Sequence, residues 1–127
     1  MRLTLKDDLL FVTLALVYRG ATLVVPDVLV DTGSAGTILS ANLVAQVALI
    51  PEPGDILHTV RGVGGSEAVF ARRVDRLQVD NQAVENFEVE IGGMEYGFGI
   101  NGILGMDYLV RVGAIINLHT LAMEFAA

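Results

Sequence analysis

Residues 28–40, VLVDTGSAGTILS, place a single carboxylate directly after an apolar run. Asp31 is followed by the small residues Thr32, Gly33 and Ser34. Burying a carboxylate costs several kcal/mol unless the group is paired or protonated, so the position needs a physical reason. One interpretation is a turn, because Asp accepts local backbone N–H bonds and Gly allows a positive φ. The other is a carboxylate that takes part in catalysis.

Two later segments bear on this choice. Residues 61–66, RGVGGS, carry three glycines in four positions, which is typical of a mobile hairpin tip. Residues 101–109, NGILGMDYL, place two apolar residues before Gly105 near the end of the chain. Taken in order, an apolar-Asp-Thr-Gly-Ser segment, a glycine-tipped hairpin and Ile-Leu-Gly form a far more specific pattern than any one of them.

This ordered trio resembles the retropepsin-like aspartic proteases, and the resemblance spans roughly residues 9–118. It implies that Asp31 is the catalytic aspartate and that the Thr32 hydroxyl bonds across a dimer to lock two active-site loops. It further implies that Gly33 lets the backbone approach substrate and that Ser34 hydrogen-bonds the catalytic carboxylate. The strand that packs beneath this loop is matched by Ile103, Leu104 and Gly105.

The resemblance also assigns the glycine-rich tip to a flap that closes over bound peptide. The matching flap residues are Gly62, Val63, Gly64, Gly65 and Ser66. A closed flap excludes water and holds an extended substrate by strand-type hydrogen bonds.

A single Asp-Thr-Gly implies two chains. Peptide hydrolysis without a metal or covalent intermediate needs a base to activate water and an acid to protonate the carbonyl oxygen and the amine. Two carboxylates about 3 Å apart share one proton and fill both roles. We therefore expect an aspartic endopeptidase whose second aspartate comes from the other chain of a twofold homodimer. Asp107 is rejected as the second carboxylate, because it is placed to cap a short helix at Tyr108 and Leu109.

The sequence departs from many retroviral members at two positions that form an ion pair supporting their dimer. Those positions hold Ala35 and Met106 here, so the dimer is expected to be built differently. Residues 118–127 extend beyond the minimal pattern and are a candidate interface strand. Two alternatives stay open: a catalytically inactive module of the same fold for peptide binding or dimerisation, and a β-barrel that binds a ligand.

Composition narrows the classes of partner. Eight basic and 15 acidic residues give a net charge of −7, and no basic stripe is present, so nucleic acid is not an expected partner. There is no cysteine, and His58 and His119 lack a ligand spacing, so neither a metal site nor a cofactor is predicted. The longest apolar stretch, residues 9–18, is far shorter than the ~20 residues that span a bilayer, so we expect a cytoplasmic protein without a membrane partner.

The elements that must position these residues read as one all-β domain over residues 1–127, with a hydrophobic fraction of 53%. Residues 9–18 and 21–30 predict a hairpin, in which Pro26 indicates an edge or a bulge. Residues 41–49 predict a short helix capped by Ser40 and stopped by Pro51. Two arms, residues 55–61 and 67–80, flank the glycine tip, and further strands follow. The expected fold is a closed or partly open β-barrel of the acid-protease type with one or two short helices and a flap hairpin.

Overall fold

The computed structural model describes residues 1–62, 65–94 and 99–126. Within these ranges the chain forms ten strands, two short helices and one 3-10 turn, so the all-β expectation is confirmed. The strands are β1 (Thr4–Lys6), β2 (Leu9–Tyr18), β3 (Ala21–Val30), β4 (Ile38–Ser40), β5 (Leu57–Gly62), β6 (Gly65–Val79), β7 (Gln82–Gly92), β8 (Gly102–Leu104), β9 (Ala114–Asn117) and β10 (Ala122–Phe125). The helices are α1 (Ala41–Val44), which continues into the 3-10 turn Ala45–Val47, and α2 (Met106–Arg111).

Eight of the strands form one sheet in the order β1-β2-β3-β8-β4-β7-β6-β5. A further antiparallel pairing joins β2 to β6 over Ala15–Val17 and closes the middle strands into a ring. The remaining strands, β9 and β10, form a separate antiparallel pair. The sheet is therefore a partly closed barrel, in agreement with the expectation from the sequence.

The β2–β3 hairpin turns at Arg19 and Gly20, as predicted, and both residues have positive φ. Its register shifts between Val12 and Leu14, opposite Pro26 and Asp27. Proline cannot donate to a ladder, and a bulge removes the need for it to do so. The bulge interpretation of Pro26 is therefore correct.

The helix after β4 is shorter than predicted. The α-helix ends at Val44 and the 3-10 turn that follows it ends at Val47. Ala48 then takes a left-handed conformation at φ 60°, so the helical segment stops before Pro51 is reached. Ser40 occupies the N-cap position, but its side chain makes no capping hydrogen bond. Ser40 is buried as the last residue of β4, so the expected cap is wrong.

The interior divides into two apolar clusters on opposite faces of the strands that lead to Asp31. The main core contains Val28, Leu39 and Leu104. The smaller cluster contains Phe11, Ile38, Met94 and Ile100, with the partly buried Leu9, Leu29 and Ile103 against it. Because successive strand residues point to opposite faces, β3, β4 and β8 divide their apolar residues between the two clusters.

Across the described residues, no helix is long and apolar enough to cross a membrane.

Candidate active site

Asp31 directly follows the last residue of β3, Val30. Its backbone N–H still donates to the Leu104 carbonyl at 3.0 Å, so the strand ladder holds the residue that carries the carboxylate. The side chain is half-buried, and its Oδ1 accepts the Gly33 N–H at 2.8 Å. A Cβ on Gly33 would lie 3.1 Å from that same oxygen. Glycine at position 33 therefore donates a backbone N–H to the carboxylate and adds no side chain beside it.

The strand β8 lies beneath the loop of residues 31–37, which we call the aspartate loop. It pairs in parallel with β3, placing Ile103 beside Leu29 and Leu104 beside Val30. A Cβ on Gly105 would meet the Gly36 carbonyl oxygen at 2.3 Å and the Ser34 carbonyl oxygen at 2.9 Å. Only glycine at the end of β8 lets the chain pass this close to the aspartate loop.

Two backbone bonds and one side-chain pair fasten the aspartate loop to α2. Met106 N donates to Ser34 O at 2.8 Å, and Asp107 N donates to Ala35 O at 3.1 Å. The Thr37 hydroxyl donates to Asp107 Oδ1 at 2.7 Å, and the Thr37 N–H donates to Asp107 Oδ2 at 3.1 Å. The same hydroxyl accepts the Gly105 N–H at 3.1 Å, so one buried side chain binds both the Asp107 carboxylate and the backbone of Gly105.

The Thr37–Asp107 pair was missed by sequence reasoning, which treated Asp107 as a helix cap. The N-cap is Gly105, whereas Asp107 lies in the first turn and accepts the N–H of Tyr108 at 2.8 Å. A signal was present, because Thr37 is a polar residue beside the apolar run of β4. A polar side chain inside a buried segment requires a hydrogen-bond partner, and a carboxylate beneath the loop meets that requirement.

The sequence predicts a hydrogen-bond partner for Ser34 and another for Thr32. The Ser34 hydroxyl donates to the Gly36 carbonyl at 2.8 Å and so stabilises the aspartate loop within one chain. This bond differs from the predicted one, which joined the hydroxyl to the Asp31 carboxylate. Thr32 is exposed, and its predicted bond to a second chain stays a prediction.

The hairpin predicted to carry the flap is formed by β5 and β6. Backbone pairing reaches Arg61 with Ser66 and Gly62 with Gly65. Val63 and Gly64 of the predicted flap lie outside the described residues. The flap role of this tip stays a prediction.

A row of four residues crosses the sheet beside Asp31. Leu29 pairs with Ile103, Ile103 with Ile38, and Ile38 with Glu90. Directly paired residues point to the same face, and Leu29, Ile38 and Ile103 belong to the smaller apolar cluster. Asp31 is two residues beyond Leu29, so alternation places its side chain on this face as well. We call these four residues the cross-strand row.

A second surface runs from the aspartate loop onto the C-terminal strands. Thr32, Met106, Val110, Ala114 and Ile116 line a shallow depression of about 200 Å³, together with Leu109 and Gly113. Val110 is 66% exposed and lies beside the exposed Met106, so the two form an apolar patch next to the aspartate loop. We call this surface the α2–β9 face.

The strand β9 has a free edge beside that face. It pairs with β10 on one side only, and the described part of the chain supplies no strand for its other side. The strand β10 has both edges occupied, because Leu3 N donates to Leu121 O and Met123 N donates to Met1 O. The C-terminal segment predicted as a possible interface strand is thus internal, and the exposed edge belongs to β9.

No group of three or more His, Cys, Asp or Glu side chains able to hold a metal ion occurs among the described residues.

Comparisons with known proteins agree with this geometry. The sequence model of a family described as "Aspartyl protease" matches residues 18–108. The structure is similar to that of a retropepsin-like aspartic protease from Rickettsia conorii, with a TM-score of 0.63 and 15% sequence identity, covering 88% of this chain and 87% of that chain. No curated protein matches the sequence significantly.

Proposed function

The chain belongs to the aspartyl protease family, and we propose that it is an endopeptidase in which Asp31 residues from two copies form one catalytic pair. The observation that carries this proposal is the setting of Asp31. One carboxylate is held by the backbone of β3 and β8, accepts one local N–H bond, and remains half-exposed at the end of the sheet. Such a group is positioned for chemistry and needs a second carboxylate to form an acid–base pair.

Asp107 does not supply that second carboxylate. Its two oxygens accept the Thr37 hydroxyl and the N–H groups of Thr37 and Tyr108. These three hydrogen bonds occupy both oxygens and direct the carboxylate toward Thr37 and the first turn of α2, so Asp107 holds the aspartate loop against the helix. A second copy of the chain therefore supplies the partner, which makes an isologous twofold dimer necessary for activity.

The chemistry follows from two carboxylates that share one proton. The ionised member takes a proton from a water molecule as the water attacks the peptide carbonyl carbon, and the protonated member donates its proton to the carbonyl oxygen. The tetrahedral intermediate is a gem-diol. As its C–N bond breaks, the amine takes a proton from the pair, and one hydroxyl of the diol returns its proton to the pair as the new carbonyl bond forms. One acid and one carboxylate are restored, so the pair is ready for another cycle.

The α2–β9 face suits the contact between the two copies. It adjoins Thr32, the residue to which the resemblance assigns the bond across the dimer. Its exposed apolar side chains, Met106 and Val110, gain from removal from water at roughly 25 cal/mol per Å². The free edge of β9 offers unpaired backbone groups beside them, which a second chain satisfies by strand pairing.

Digestion of a peptide library by the parent and by Asp31→Asn tests the proposal. The substitution keeps the shape of the side chain and removes its ability to hold or release a proton, so we expect a folded dimer with cleavage reduced at least ~1,000-fold. Asp80→Asn is a matched control, since Asp80 lies in the β6–β7 turn at φ 53°, a conformation that Asn tolerates well. It is expected to cleave like the parent. Cleavage by Asp31→Asn at the parent rate would overturn the proposal in favour of another site.

A further inference from the structure

The cross-strand row ends in a charged residue that the proposed chemistry does not use. Leu29, Ile103 and Ile38 form an apolar floor beside Asp31, and Glu90 on β7 follows them on the same face. The Glu90 backbone N–H donates to Thr37 O at 2.9 Å, which fixes this strand against the aspartate loop.

Glu90 lies between the aspartate loop and the β5 arm of the predicted flap. Its Oε1 is 3.3 Å from Nε2 of His58 on β5. A Cβ built on Gly36 would lie 3.6 Å from the same oxygen, so the loop approaches the carboxylate without a side chain of its own. The Glu90 side chain is 29% exposed, and no Lys or Arg among the described residues pairs with it. The His58 imidazole is thus the partner of this carboxylate among the described residues, and the exposed part of the Glu90 side chain is accessible to a ligand.

We propose that Glu90 is a specificity-determining residue that binds a lysine or arginine side chain of the substrate. This inference rests on the proposed endopeptidase function. An extended peptide lying over the floor places an apolar side chain beside Asp31 and a later side chain beside Glu90. The apolar floor fits the aliphatic stem of Lys or Arg, and the carboxylate pairs with its charged end.

Strand spacing sets the distance along the substrate. Three interstrand steps of ~4.8 Å separate β3 from β7, which is roughly 14 Å and about four residues of an extended peptide. The basic residue therefore lies about two to four positions from the cleaved bond. In a twofold dimer the second copy places its own Glu90 on the other side of that bond. A basic residue on either side of the cleaved bond can therefore pair with a Glu90 carboxylate. The net charge of −7 also favours the approach of cationic peptides.

A cleavage profile on a proteome-derived peptide library, read by mass spectrometry, tests this inference. For the parent we expect Lys and Arg to be enriched at one position within four residues of the cleaved bond. Glu90→Gln removes the charge with little change of shape and is expected to lower that enrichment roughly fivefold. Glu90→Lys is expected to replace it by a preference for Asp and Glu.

Glu88→Gln is the matched control. It removes the same charge two residues earlier on the same strand, where Glu88 is exposed and pairs in register with Arg73. We expect it to keep the parent profile, which separates a local effect from a change of net charge. A parent profile without basic enrichment, or an unchanged profile for Glu90→Gln, would overturn the inference while leaving the endopeptidase function intact. Absence of any Asp31-dependent cleavage by the parent would overturn the proposed function and this inference with it.

Discussion

Single residues determine how rigidly the Asp31 carboxylate is held. The aspartate loop is supported from below by the Thr37 hydroxyl, which connects Asp107 with the Gly105 N–H. Many retroviral relatives use an ion pair near this place, whereas this chain has Ala35 and Met106 there. The Thr37–Asp107 pair and the backbone bonds of Met106 and Asp107 fasten loop to helix without those charges.

Thr37→Val tests this support. Valine fills the same volume but leaves the Gly105 N–H without its acceptor and removes one of the two donors to Asp107 Oδ1, so we expect a loss of about 1–3 kcal/mol in the free energy of unfolding. We also expect lower kcat, because the loop that carries Asp31 loses a constraint. Denaturant unfolding and peptidase kinetics measure the two effects. Thr37→Ser keeps the hydroxyl and is expected to restore most of both quantities, and a Val variant as stable and active as the parent contradicts the assignment.

At the scale of elements, the site depends on how α2 is anchored to the sheet. Tyr108 is fully buried, and its hydroxyl donates to Gln82 O at 2.6 Å and accepts Val79 N–H at 3.2 Å. Its ring also meets Phe87 edge to face at 6.0 Å between centroids. These contacts tie the helix after Gly105 to the β6–β7 turn. Burial raises the pKa of Tyr108 to about 12, while the Val79 N–H acts in the opposite direction.

Tyr108→Phe is expected to cost about 1–3 kcal/mol of unfolding free energy, because Val79 N–H and Gln82 O lose their partner. The raised pKa adds a pH dependence. An unfolded tyrosine ionises near pH 10, so the preference of the fold for the neutral phenol is fully present below that pH. It is lost as the pH rises through about 12. Unfolding midpoints measured across this window should fall more steeply for the parent than for the Phe variant, and parallel curves would contradict this role.

The sequence was sufficient for those parts of the site that depend on local pattern. The Asp31 segment, the Ile103–Leu104–Gly105 strand and the hairpin strands all carry their signals within a few residues, as apolar alternation and turn glycines.

Contacts between distant segments could not be read in this way. Thr37 and Asp107 are 70 residues apart, and their pairing exists only because β4 and β8 become neighbours. The position of Glu90 beside Ile38 depends likewise on the strand order β8-β4-β7. Ser40 illustrates the converse, because tertiary burial in β4 overrode a local capping preference.

At the scale of the whole molecule, the proposed mechanism requires more than one chain. It presents one positioned carboxylate, an apolar α2–β9 face and a free edge on β9. A free strand edge presents unpaired backbone N–H and C=O groups, which can pair with a strand of another chain. We infer that dimerisation covers the face and completes the site in the same step.

Val110→Lys tests the use of this face. Placing a charge in the centre of a packed apolar contact costs several kcal/mol, so we expect a folded monomer with little peptidase activity. Val24→Lys is a matched control on β3, since Val24 is 61% exposed and Val110 is 66% exposed. Sedimentation velocity should show the control as a dimer and Val110→Lys as a monomer. A Val110→Lys variant that still sediments as an active dimer would place the interface elsewhere.

The most direct test of a shared active site is the activity of mixed dimers. Parent chains are refolded together with a threefold excess of Asp31→Asn chains, so that subunits pair at random, and peptidase activity is measured at a fixed total concentration. If each site needs an Asp31 from both copies, only parent–parent dimers are active, and the activity falls to about one sixteenth of that of the pure parent. Activity that falls only to about one quarter, in proportion to the parent chains present, would contradict the shared site, because it would mean that each chain works alone.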